Sequence, residues 1–111
     1  MKILMLTWEY PPRVVGGIAR VVKDGHEVTV VTYKEGDAPD FEDDKGVKVY
    51  RVGNYMINPN NFIDWVMQLN FNLVAKANEI IAKEGNFDVI HAHDWLVAYA
   101  AKTLKNSYNI P

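Results

Sequence analysis

The sequence predicts an α/β fold on a parallel sheet, and three observations carry that reading. Short apolar or β-branched runs recur at KILMLT (2–7), HEVTVVTY (26–33), VKVYRV (47–52) and FDVIHAH (87–93). Between them lie stretches with helical spacing, the longest over 62–83, where apolar positions 62, 66, 69, 73, 77 and 80 recur at three and four. The joints between runs hold Gly, Pro, Asn and Asp. Alternation of strand and helix means a parallel sheet covered by helices. Right-handed crossovers leave few topologies, and the commonest is a doubly wound sheet with strand order 3-2-1-4.

Each element has its own justification. Residues 2–7 are short, apolar and unpunctuated, as in a buried strand. Pro11 and Pro12 end that run, so residues 9–15 are a loop. Ile18, Val21 and Val22 give a short helix over 18–23, and Gly25 closes it before the second strand. Residues 34–46, KEGDAPDFEDDKG, are acidic and rich in breakers, and read as a solvated loop. VKVYRV alternates with period two and reads as an edge strand, with Lys48 and Arg51 beside water. NYMINPNN (54–61) is a loop, and Asn60 or Asn61 caps the long helix that Gly85 ends. Asp94 reads as the N-cap of a last helix over 95–106. Asn109-Ile110-Pro111 would lead into a fifth strand, before which the chain stops.

Composition sets the outer bounds. One hundred and eleven residues, 49% hydrophobic and 23% charged, fit one small globular domain. A net charge of −2 provides no basic field for nucleic acid or an anionic membrane. With no cysteine there is no disulfide framework, thiolate metal site or cysteine nucleophile. The N-terminal apolar run is too short for a signal-peptide core, and no segment reaches the roughly 20 apolar residues of a membrane span. The expectation is a cytoplasmic chain.

In doubly wound sheets ligands bind beyond the carboxyl ends of the strands, where the strand order reverses. Those ends carry residues 8–17 and 91–95, so two unusual segments meet at one crevice. Gly16 and Gly17 precede a helix whose free N–H groups face that crevice, and an anion could approach where no Cβ stands. A plain turn is the competing account of the glycines. In HAHDW, His91 and His93 point to one side of the strand and Ala92 to the other. Capping by Asp94 with buried histidines, a metal site, and a sugar held by imidazole and carboxylate hydrogen bonds are the three accounts. The only other histidine, His26, belongs at the opposite, amino end of the sheet, which weighs against a metal.

MKILMLTWEYPPRVVGGIARVV, GHEVTVVT and FDVIHAHDW together resemble the N-terminal part of retaining glycosyltransferases with two Rossmann-like domains, the GT-B type. The likeness is strongest to the glycogen and starch synthase group and covers nearly the whole chain. It implies a Rossmann-like acceptor-side domain at 1–111, incomplete before its fifth strand, with the C-terminal nucleotide-sugar domain absent from the chain. It implies transfer of glucose or a similar sugar from a nucleotide sugar to an acceptor glycan, with no metal and no cofactor besides the donor. By the same likeness Gly16 and Gly17 lie at the donor diphosphate, the carboxylate of Asp94 beside the transferred sugar as the catalytic residue, and Glu9, Arg13 and His93 at the substrates.

The chain departs from that pattern in places. Glycogen synthases resembling it carry a lysine two residues before the glycine pair, where this chain has Val14, with Arg13 one step earlier. The role of Arg13 and the choice of glucan synthase over another sugar transferase are therefore open. Seven residues between Gly17 and Gly25 make a helix of about 10 Å, about two turns shorter than in the family, as an internal deletion would leave it. The strand that carries the family's active-site histidine lies beyond Pro111. On its own the chain is expected to be inactive, and its open edge at 87–93 and bare sheet faces to favour self-association. A non-catalytic fragment or binding module is one rival reading. A nicotinamide dinucleotide-binding domain is another, but GGIAR is not G-x-G-x-x-G.

Overall fold

The computed structural model describes residues 1–7, 24–34, 39–44, 46–53, 62–93 and 97–111, with backbone alone for Phe62 and His93. Among the described residues five strands form one sheet: β1 (Lys2–Thr7), β2 (Glu27–Tyr33), β3 (Phe41–Asp44), β4 (Val47–Val52) and β5 (Val89–His93). Two helices are described, α1 (Phe62–Glu84) and α2 (Ala98–Tyr108). The expected short helix over 18–23 lies outside the described residues. No described helix is long and apolar enough to cross a membrane.

The sheet order is β3-β4-β2-β1-β5. The pairs β4–β2, β2–β1 and β1–β5 are parallel, so the four strands read from the sequence stand in the expected succession. The sheet is nevertheless not 3-2-1-4 alone. Residues 41–44, read as part of a solvated loop, form β3, antiparallel to β4 and joined to it by a two-residue link at 45–46. VKVYRV is accordingly an inner strand rather than an edge. Arg51 is not beside water but buried, with its guanidinium paired to Glu42 and hydrogen-bonded to the Pro39 carbonyl at 3.2 Å.

Alternation along the strands divides the core. Leu4, Leu6, Val31 and Val52 face the helices and pack with Leu69, Leu73, Ala77 and Ile80 of α1 and Ala100 and Leu104 of α2. Ile3, Met5, Val28, Val30, Val47 and Val49 form a cluster on the opposite face. Helix α1 buries Val66, Leu69, Leu73, Ala77 and Ile80, the stripe its spacing marks. Gly85 ends it at φ +92°, its N–H donating to the Ile81 carbonyl at 2.9 Å.

The last helix begins later than the sequence indicated. Its N-cap is Val97 rather than Asp94, and no side chain of the cap residue serves its amides. The acceptor comes from α1: Asn70, 96% buried, takes the Ala100 N–H on Oδ1 at 2.9 Å and donates to the Val66 carbonyl at 2.8 Å. An orphan donor of the first turn is thus satisfied across the helix–helix contact.

Candidate functional site

Register sets where the strands of the expected crevice end. Thr7 at the end of β1 pairs with His93 at the end of β5, and Leu6 with Ala92. On the other side of β1 the sheet continues through β2 and β4. The strand order therefore reverses at β1, and the chain leaves β1 and β5 at paired positions, about 5 Å apart as for neighbouring strands. Backbone topology alone brings the exits toward residues 8–17 and toward residue 94 together, as in ligand sites of open α/β sheets.

Of the residues the sequence marked, Glu9, Arg13, Gly16, Gly17 and Asp94 lie outside the described residues, and His93 is described by its backbone alone. His91 is a register partner of Met5, on the sheet face away from α1 and α2. It is exposed, as is Ala92, so this strand end is not the buried one assumed in reading HAHDW. His26 does stand at the far end: its neighbour Glu27 pairs with Lys2 at the start of β1.

That amino end holds a cavity of about 510 Å³ lined by Lys2, His26, Lys48, Glu84 and Phe87 among others. Its charges hold elements together. Lys2 Nζ donates to the Glu84 carbonyl at 2.9 Å, neutralising the negative end of α1, and lies 5.3 Å from the Phe87 ring centre. Lys48 Nζ meets Glu84 Oε1 at 3.0 Å, and that hydrogen bond, with the attraction between the charges, raises the ammonium above its usual range. Asp88 accepts the Lys2 N–H at 2.7 Å. The cavity lies at the opposite end of the strands from the crevice, and a run of separate lysines and acids offered no sequence signal for it.

Comparison with known proteins bears on the crevice. Residues 15–111 match the profile of the family described as Glycosyltransferase Family 4. The whole chain aligns with an uncharacterized glycosyltransferase of Methanocaldococcus jannaschii at 40% identity over 119 positions, covering 29% of that protein. It aligns with a glycogen synthase of Mycobacterium tuberculosis at 32% identity over 133 positions, covering 32% of it. The chain thus spans about a third of the length of these relatives. Since 119 aligned positions exceed 111 residues, at least eight have no counterpart in this chain. Among solved structures, sucrose-phosphate synthase from Thermosynechococcus elongatus shares the fold, with a TM-score of 0.71, 18% identity, and coverage of 98% of this chain and 31% of that one.

Proposed function

The chain belongs to Glycosyltransferase Family 4, and on that premise we propose that it forms the acceptor-side domain of a retaining sugar transferase. The reaction moves a glucosyl or similar unit from a nucleotide sugar to an acceptor glycan. Support for the substrate class comes from the 32% identity with a glycogen synthase. Residues 1–111 are the first part of the catalytic unit, and a second domain of a longer protein supplies most of the nucleotide-sugar contacts.

The observation that carries this reading is the Thr7–His93 pairing at the reversal of strand order. The segments holding Glu9, Arg13, Gly16 and Gly17, and the one holding Asp94, leave the sheet from those two neighbouring points. In the proposed site the donor diphosphate approaches the backbone at Gly16 and Gly17, where no Cβ obstructs it. Amide groups there, with the charge of Arg13, stabilise the negative charge that builds on the leaving diphosphate. The Asp94 carboxylate accepts hydrogen bonds from the transferred sugar, and Glu9 and His93 hold substrate hydroxyls. No cofactor besides the nucleotide sugar enters the scheme.

Transfer assays on the complete protein test it, with ADP-glucose and UDP-glucose as donors and a glucan primer. Product of the donor's anomeric configuration is expected, and the 111-residue chain alone gives no turnover until the remainder of the protein is added. Asp94→Asn leaves the circular dichroism unchanged and lowers transfer at least about tenfold, the effect of one polar contact weakened in a closed site. Near-normal transfer in that variant removes Asp94 from the chemistry. Failure of the complete protein to transfer from any nucleotide sugar favours a non-catalytic binding module.

A further inference from the structure

We propose that the first half of α1 is a self-association surface whose occupant is a second copy of this chain, packed antiparallel across the same stripe. This does not rest on the sugar-transfer reading. Among the described residues, Ile63, Met67 and Phe71 of α1 and Tyr99 of α2 are large apolar side chains left between 47% and 73% exposed. The three on α1 stand at i, i+4 and i+8, so they share one face of the helix. That face lies beside the buried stripe of Val66, Leu69 and Leu73 rather than on it. The bond from the Ala100 N–H to Asn70 ties the first turn of α2 to the same stretch, which brings Tyr99 to that end of the helix layer.

A second copy fits this surface for three reasons. First, the spacing is symmetric about Met67. A two-fold axis through that residue sets Met67 against Met67, and Ile63 of each copy against Phe71 of the other, as an isologous contact requires. Second, Asp64 is the only charged residue between positions 62 and 75, so two copies meet there without a field of like charge. Third, at the usual sizes of these side chains the patch exposes roughly 500 Å², within the roughly 300–600 Å² of a typical monomer's largest patch, which is often functional. Doubled by symmetry it comes to roughly 1,000 Å², the lower bound of specific interfaces, as suits a dimer formed at micromolar concentration.

The outer edge of β5, where sequence alone pointed for self-association, suits a second copy less well. The Ile90 N–H already donates to the Pro111 carbonyl at 3.0 Å. The groove beside it, about 410 Å³, is lined by Lys102 and Lys105 along with Ile90, Ala101, Asn106 and Pro111, and two lysines facing their own copies repel.

Sedimentation velocity on the 111-residue chain over a wide dilution series gives the first readout. The mass should rise from 12.7 kDa toward twice that value, while Phe71→Glu holds it at the monomer. The chain has no cysteine, so one introduced thiol reports its own neighbourhood. Met67→Cys should form a disulfide-linked dimer on mild oxidation, and Glu79→Cys, exposed on the far half of α1, should not. This second readout decides the matter if Phe71→Glu disturbs folding. A monomer at every concentration, association that Phe71→Glu leaves intact, or equal cross-linking from positions 67 and 79 overturns the proposal.

Discussion

Removing the Asn70 side chain tests how the helix layer is held together. The residue is almost fully buried, and its amide joins two helices: Oδ1 accepts the Ala100 N–H at 2.9 Å and Nδ2 donates to the Val66 carbonyl at 2.8 Å. In Asn70→Ala the Val66 carbonyl loses only its side-chain donor, in a helix that can still serve it. The Ala100 amide stands in the first turn of α2, where N–H groups lack the usual intrahelical acceptor, and the Val97 cap makes no side-chain hydrogen bond. A buried donor left without a partner costs about 1–3 kcal/mol, and loss of a helix cap costs a similar amount through the same effect, so the two are not added. The expected loss is about 2 kcal/mol. With an unfolding entropy of about 2.1 cal/mol/K per residue, this chain of 111 residues should melt about 9 °C lower. Urea unfolding followed by circular dichroism measures the change, with an unaltered slope showing that the unfolded state is the same. Asn78→Ala is the control, since its bond to the Tyr108 hydroxyl is exposed and its loss should stay within about 0.5 kcal/mol. If Asn70→Ala costs no more than Asn78→Ala, water or a shifted backbone serves Ala100 and the cross-helix cap is not what fixes α2.

Three further perturbations probe other joints. Glu42→Ala should cost about 1–2 kcal/mol in urea unfolding, because the Arg51 guanidinium stays buried after losing its carboxylate while Glu42 itself is partly wet. Gly85→Ala should cost about 1 kcal/mol because the backbone there sits at φ +92°, although an added Cβ meets nothing nearer than Lys2 Nζ at 3.8 Å; Gly53→Ala, in open space, should cost less by the same assay. Stability should fall as pH rises above about 10. Lys48 is raised above 10.5 by its hydrogen bond and attraction to Glu84, and Tyr50 above 10.0 mainly by burial. Their contribution is fully present below those values and lost as pH rises through the folded-state ones. Lys48→Met should flatten the alkaline slope, and an unchanged slope refutes the assignment.

What the sequence disclosed, and what it hid, follows from the range of the interactions involved. Helix α1 was legible because its stripe of Val66, Leu69, Leu73, Ala77 and Ile80 repeats with the period of the helix. The adjacency of the two strand exits was legible for a different reason: once four parallel strands are granted, chirality and connection rules leave β1 and β5 adjacent, with Thr7 beside His93. Strand β3 was not legible, because FEDD has neither β-branched residues nor alternation. What orders it is tertiary. Phe41 packs on Tyr50 at 4.9 Å between ring centres, Glu42 meets buried Arg51, and Asp43 Oδ1 accepts the Gly46 N–H at 2.9 Å. One signal could have found it, a glycine closing a two-residue link just before the alternating strand VKVYRV. The start of α2 was misplaced because Asp94 is a good local capping residue, whereas the acceptor that serves Ala100 stands 30 positions earlier. A pattern read along the chain weighs neighbours, so a cap supplied across a helix contact loses to any plausible acid nearby. The same asymmetry governs the strand ends: topology fixes that β1 and β5 end side by side, and a local pattern does not fix which side chains serve them.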